Sequence, residues 1–264
     1  MHNLQNVDCT EGMKTIPSES IDLVIADPPY NIGSTQKQNV QLKQAGWDTF
    51  ASGEFQHFTD SWLTEAIRVL KKNGQIFIYG SAWTTDLFKI CIKAEASGLR
   101  MMQTICWCYT QGQGPFRLKK YTANSELLVW LIKEPAHSWT FNEEHARTPY
   151  TENEMEIALA KGKGRVQREK LQRGRPMRTW WEIPRVNSRA KIRQVCNHPA
   201  MKPRALAEIL VKVHSNAKDT ILIPFVGSGS EFLTALELGR EVIGYEKEKS
   251  YYDFVMTQAQ MQPL

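Results

Sequence analysis

The chain has 264 residues, a formal net charge of +5, 42% hydrophobic and 23% charged residues. That is room for one large domain, or for a domain with a substantial insertion, and the composition is ordinary for a soluble globular protein. No apolar run approaches the length of a membrane span, and the opening Met1-His2-Asn3-Leu4-Gln5 lacks the basic and apolar blocks of a signal peptide, so a cytoplasmic protein without a membrane partner is expected.

In chain order, Ile21–Ala26 reads as a short buried strand that runs into Asp27-Pro28-Pro29-Tyr30. Asp-Pro and Pro-Pro are common turn residues, yet an acid, two stiff residues and an aromatic directly after a buried strand also suit a site. Residues 31–58 carry Asn, Gln, Ser and Gly with no clean period, and so long an irregular segment inside a domain is usually functional. From Asp60, apolar residues at Leu63, Ile67 and Leu70, followed by lysines and Gly74, predict a helix with a stop signal. Gln75–Gly80 predicts a second strand, Thr84–Gly98 a second helix, and the stretches MMQTICWCY and ELLVWLI two further strands.

The texture changes over residues 135–195, which are polar, basic and Gly-rich, with one helical pattern near Glu154–Ala160. From Lys161 to Arg193 there are twelve Lys or Arg against two acids, so this segment carries +10 and the remainder −5. A basic segment on an acidic body is the asymmetry of a polyanion-binding element. Lys202–Ser215 then predicts a helix with Pro203 near its first turn, and strand, helix, strand and helix follow to the end. Strands alternating with helices indicate an α/β fold with a mostly parallel sheet.

Within that last stretch, a strand feeds Phe225-Val226-Gly227-Ser228-Gly229-Ser230, then a helix, then a strand ending at Glu246. Glycines let the backbone turn tightly and approach a ligand, and an acid at the end of the next strand suits a ribose diol. Phe232 stands three residues after Gly229, where a dinucleotide fingerprint would need a small residue, so an adenosyl cofactor without phosphates is favoured over NAD. Five cysteines at unpaired spacings and six histidines without ligand spacing imply neither a disulfide framework nor a metal.

Together and in this order these segments resemble the amino methyltransferases that modify exocyclic amines of DNA bases, in the group whose catalytic motif precedes the cofactor loop. The resemblance runs along nearly the whole chain and implies a doubly wound, Rossmann-like fold that uses S-adenosylmethionine. It implies a catalytic and cofactor-binding domain formed by 1–134 and 196–264, with 135–195 as a target-recognition insertion. Asp27, Pro28, Pro29 and Tyr30 match the catalytic tetrapeptide, and the resemblance makes Asp27 a cofactor contact as well. Phe225, Gly227, Ser228 and Gly229 match the cofactor loop, Glu246 the ribose-binding acid, and Asp8 and Cys9 the residues that contact the adenine. His198 and Lys202 belong to an HPxxKP element, here Asn197-His198-Pro199-Ala200-Met201-Lys202-Pro203.

On this reading Asp27 and the Pro28 carbonyl accept hydrogen bonds from the base amine, the prolines fix the geometry, and Tyr30 stacks on the flipped base. Lys37, Lys43, Arg173, Arg175, Arg178, Arg189 and Lys191 are candidates for nucleic-acid contact. Trp180 and Trp181 suit either a wedge between bases or a core role. Asp in the tetrapeptide favours adenine-N6 over cytosine-N4, which stays the alternative. A homodimer is expected by resemblance only. Two departures fall at the cofactor: Ile223 stands where the family usually has Asp, and Ala200-Met201 where it usually has Thr-Gln. Weaker cofactor binding follows as an expectation, and at the extreme a DNA-binding paralogue with little activity.

Overall fold

Apolar strands alternating with amphipathic helices bury both faces of one sheet in the computed structural model, which describes residues 2–31, 48–51, 53–81, 85–113, 121, 123–162, 164, 167–187 and 190–261. The strands are β1 (His2–Gln5), β2 (Ile21–Ala26), β3 (Leu70–Ser81), β4 (Leu99–Gln113), β5 (Ala123–Lys133), β6 (Arg147–Thr148), β7 (Arg175–Pro176), β8 (Trp180–Glu182), β9 (Thr220–Ile223) and β10 (Glu241–Tyr245). Eight of them form the main sheet, in the order β1-β10-β9-β2-β3-β5-β4-β8, while β6 and β7 pair separately. Five of its seven pairings are parallel, and β5 is antiparallel to both its neighbours.

The helices are α1 (Cys9–Gly12), α2 (Glu54–Val69), α3 (Asp86–Ala96), α4 (Glu152–Lys161), α5 (Arg168–Gln172), α6 (Ile192–Val195), α7 (Arg204–His214), α8 (Ser230–Glu237) and α9 (Lys249–Gln260). Side-chain alternation along the strands sends neighbours to opposite faces. Val24, Ile76, Val129 and Leu131 pack on one face with α2 and α3 residues such as Trp62, Leu63, Ile67 and Ile90. Leu23, Ile25, Phe77, Tyr79, Leu128 and Trp130 pack on the other, with Leu206, Leu210, Phe232 and Val255 from α7, α8 and α9. Helices thus cover both faces, and no described helix is long and apolar enough to cross a membrane.

Three features differ from the sequence reading. Helix α2 starts at Glu54 and ends at Val69, with the following lysines already in β3. Its first turn is fixed by Glu54 Oε2 accepting the Ala51 N–H at 2.9 Å and by Phe50 packing on Phe55 and Phe58, contacts that periodicity does not report. β1 escapes the strand pattern because its four residues have one buried side chain. β8, inside the basic segment, adds to the edge of the main sheet against β4. The same segment is tied at its start to the sheet and to α7, where Gln75 Nε2 of β3 donates to the Thr140 carbonyl at 2.8 Å and Asn142 Nδ2 to the Lys212 carbonyl of α7 at 2.9 Å.

Candidate functional site

Parallel pairing of β10, β9, β2 and β3 brings their C-terminal ends to one edge of the sheet. Leu23 and Val24 lie beside Ile221 and Leu222, so the turn after β2 and the loop after β9 emerge side by side, although about 200 residues separate them in sequence. Ligands of open α/β sheets bind at this edge. A cavity of about 650 Å³ sits there, lined by Asp27, Pro28, Pro29 and Tyr30 and by Phe225, Gly227, Ser228 and Glu246. Asp8, Cys9, His198 and Lys202 line it too. The volume is that of a site for a nucleoside-sized molecule.

At the β9–β10 end, Gly227 has φ +53°, and a Cβ there would stand 3.1 Å from His198 Nε2. His198 is buried, and burial first, then Lys202 and Arg193, lowers its pKa to about 3, so the ring is neutral. Glu246 Oε2 accepts the Gly227 N–H and Oε1 the Glu248 N–H, each at 2.7 Å. Burial pushes this carboxyl up to about 7 despite those two bonds, and a carboxylate has about four lone-pair sites, so two remain for hydroxyl groups. Asp8 caps α1, its Oδ1 accepting the Thr10 N–H at 3.0 Å and the Thr10 hydroxyl at 2.7 Å. Burial raises its pKa, but Thr10 and Lys247 outweigh burial and hold the carboxyl below its usual range. Burial, then Asp8, holds the Cys9 thiol protonated.

Gly229 is not among the cavity-lining residues. It starts α8 at φ +84°, and a Cβ there would meet Val255 Cγ2 at 2.7 Å. Its place is explained by the helix start and its packing on α9. Gly229→Ala is therefore expected to lower stability by about 1–3 kcal/mol, the range for a strained backbone conformation or overpacking. A urea melt with unchanged midpoint would contradict this.

At the β2 end, both oxygens of Asp27 are engaged. The Tyr30 hydroxyl donates to Oδ1 at 2.7 Å, and Lys202 Nζ pairs with Oδ2 at 2.7 Å. Lys202 is 5% exposed and also reaches Glu126 Oε2 at 3.3 Å. Its ammonium stands over the rings of Tyr30 and Tyr79, 5.4 and 5.1 Å from the centroids. Burial disfavours the charged lysine, but Asp27 and Glu126 together outweigh it and hold the pKa above the ordinary lysine range. Next to the turn, Asp48 is buried and its Oδ1 accepts the Asn31 N–H at 2.7 Å, which joins the two residues flanking 32–47. Among the described residues the lining carries eight carboxylates against three cations, Arg185, Lys202 and Lys247. The acidity of the body is thus concentrated at the cavity. Among the described residues no cluster of His, Cys, Asp or Glu could hold a metal ion.

The basic segment is less uniform than its sequence. Arg173, Arg178 and Lys191 are exposed. Arg175 is half-buried, paired with Glu154 at 2.7 Å and placed over Tyr150. The Glu154 carboxyl is held down at about 2 by the Thr151 N–H first and by Arg175. Lys37, Lys43 and Arg189 lie outside the described residues. Trp180 is 58% exposed and Trp181 only 7%, with Trp181 Nε1 donating to the Arg178 carbonyl at 2.8 Å. One ring thus faces solvent and the other is in the core. Ile223 is buried among apolar side chains and does not line the cavity.

Sequence reading missed Glu126, Glu231 and Arg185. Glu126 is the fourth residue of β5 and heads its apolar run, which was the available signal. Arg185 lies over the Tyr109 ring, 4.8 Å from its centroid, and lines the cavity; it was hidden among twelve basic residues.

A DNA methylase family model, N6_N4_Mtase, matches residues 21–258. Among curated proteins, the type II methyltransferase M2.DpnII of Streptococcus pneumoniae is 28% identical over 254 residues, covering 94% of this chain and 85% of its own. The type II methyltransferase M1.MboII of Moraxella bovis is 27% identical over 272 residues, covering 99% and 98%. The crystal structure of an M1.HpyAVI–SAM complex superposes with a TM-score of 0.67 at 21% identity, over 99% of this chain and all of the other. PvuII DNA methyltransferase, described as cytosine-N4-specific, gives 0.70 at 16% identity, over 99% and 86%.

Proposed function

The chain belongs to the N6/N4 DNA methylase family, and on that premise we propose that it transfers a methyl group from S-adenosylmethionine to N6 of an adenine flipped out of DNA. The observation that carries the reading is that Asp27–Tyr30 and Phe225–Ser228 line one cavity. When bound, S-adenosylmethionine supplies an electrophilic methyl group on a sulfonium. The residues suit such a cation: the lining is acidic, Glu246 keeps lone pairs for a ribose diol, and a Cβ at position 227 would narrow the cleft against His198.

An exocyclic base amine is a poor nucleophile because its lone pair is delocalised into the ring. Asp27 and the Pro28 carbonyl accept hydrogen bonds from the two amine N–H groups, which favours a tetrahedral nitrogen with its lone pair free to attack. Lys202 and the Tyr30 hydroxyl hold the Asp27 carboxylate in place, so the acceptor costs little reorganisation. Lys202 takes one face of the Tyr30 ring, and the flipped base stacks on the other, a contact worth about 1–3 kcal/mol. The acid at position 27 supports adenine over cytosine. Methylating DNA of mixed sequence and weighing its nucleosides tests this. N6-methyldeoxyadenosine is expected, and N4-methyldeoxycytidine alone would overturn the adenine assignment but leave the reaction class.

The exposed Arg173, Arg178 and Lys191 neutralise phosphates on this reading. Changing the three to Ala is expected to weaken DNA binding for all sequences alike. It should also lower the slope of log affinity against log salt by about 0.9 for each phosphate no longer neutralised. Arg175→Ala, by contrast, is expected to act mainly through stability, because its guanidinium is committed to Glu154. A salt titration of affinity that gives the triple variant an unchanged slope would assign the phosphate contacts elsewhere.

A further inference from the structure

We propose that Glu231 receives the α-ammonium group of the methyl donor. This rests on the donor reading above and names a residue for a group of that ligand.

Glu231 lies in the first turn of α8, lines the cavity and is 6% exposed. Among the described residues its Oε1 is buried without a hydrogen-bond partner, and so is the Tyr79 hydroxyl. Tyr79 stands near enough to favour the ionised glutamate, though without good hydrogen-bond geometry. A buried carboxylate oxygen with no partner is costly, and in a native protein such an atom calls for a functional role or a bound partner. Nothing else on this stretch can serve: from Thr220 to Ser230 the segment carries no ionisable side chain.

Local charge points to the sign of the missing partner. The groups facing Glu231 are Asp27 from the end of β2, Lys202 ahead of α7 and Tyr79 from β3. Glu126, from β5, faces the same lysine. Three carboxyls therefore share one cation, and Lys202 spends its short contacts on Asp27 and Glu126. Burial first, then Asp27, raises the Glu231 carboxyl to about 7. A primary ammonium beside Glu231 gives the group a second cation and fills the free oxygen with a charge-assisted bond.

Position along the edge agrees. Along the sheet edge the order is Glu246 after β10, the glycine loop after β9 and Asp27 after β2. Glu231 follows that loop and faces the Asp27 end. An adenosyl ligand with its ribose at Glu246 has its amino-acid arm within the part of the cleft that Glu231 lines.

The test is calorimetry of the whole protein with two ligands. S-adenosylhomocysteine carries the α-ammonium, whereas 5′-methylthioadenosine lacks the amino-acid arm. Glu231→Gln is expected to weaken S-adenosylhomocysteine roughly ten- to a hundredfold, the range for a hydrogen bond to a charged group. Methylthioadenosine binding should stay within about twofold, since it makes no charged contact there. At pH 8 the wild-type glutamate is ionised and desolvated, so the variant should melt no lower than the wild type. Glu231→Asp keeps the charge on a shorter arm and should fall between the two; it serves also if the glutamine variant does not fold. Equal losses for both ligands, or unchanged S-adenosylhomocysteine binding, would overturn the proposal. If the wild type binds neither ligand, the donor reading itself fails.

Discussion

Asp27→Asn lowers methyl transfer to DNA by about a hundred- to a thousandfold at saturating cofactor, the cost of losing one preorganised electrostatic group at a reacting centre. The carboxylate accepts from the Tyr30 hydroxyl at Oδ1 and from Lys202 Nζ at Oδ2, each at 2.7 Å, and keeps lone pairs for an amine proton. An amide keeps one oxygen and gains an NH₂ group. Whichever way it turns, a donor then faces either the Tyr30 hydroxyl or the Lys202 ammonium. The side chain loses both its charge and its fit, so the loss is expected in kcat and only weakly in cofactor affinity. Glu246, Gly227 and His198, at the far end of the cleft, are untouched. The variant should stay folded, because Lys202 retains Glu126 at 3.3 Å. Single-turnover transfer of labelled methyl, with calorimetry of S-adenosylhomocysteine alongside, separates the two effects. Transfer within tenfold of the wild type would remove Asp27 from the chemistry.

How much of this site could be read in the sequence depended on whether its signal was local. Asp27-Pro28-Pro29-Tyr30 and the glycine loop are short runs that follow apolar strands, and the parallel sheet then had to bring their ends to one edge. Glu246 was legible for the same reason, as the acid that ends the next strand. Lys202 was legible as a residue of the cavity but not as the partner of Asp27, because that contact spans the chain and depends on where α7 begins. Glu126 and Glu231 look like ordinary strand and helix acids until burial is known. Gly229 has the pattern of a ligand-facing glycine, while the neighbour that a Cβ would meet there is Val255. The basic segment was legible as charge, but Arg173 and Arg175, two residues apart, differ in that one faces solvent and the other is paired. Composition cannot make that distinction.

The second large effect belongs to Lys202. Lys202→Met keeps the length and apolar stem of the side chain and removes its charge. Asp27, Glu126 and Glu231 then face one another with no cation among them. Breaking a buried pair on one side costs about 3–5 kcal/mol, because the partner charge is left unpaired, and domains of this size have roughly 5–15 kcal/mol in all. The variant is therefore expected to fold with a clearly lower melting temperature. Like charges at short range favour protonation, and Glu231, already raised to about 7 with the lysine present, becomes neutral at physiological pH. The Asp27 carboxylate also loses the cation that holds its Oδ2 in place. Transfer at pH 7 should fall steeply, and raising the pH should recover part of it as Glu231 ionises again, over a higher pH range than in the wild type, where the lysine holds that carboxyl at about 7. Adding Glu126→Gln removes one of the three acids, so the double variant should be more stable than Lys202→Met alone, a coupling that a double-mutant cycle measures. A lysine that served the cofactor alone would behave otherwise: affinity for S-adenosylhomocysteine would drop, while the pH profile of transfer and the response to Glu126→Gln would match the wild type. That second pattern would separate Lys202 from Asp27 and leave the catalytic carboxylate to be held by Tyr30 alone.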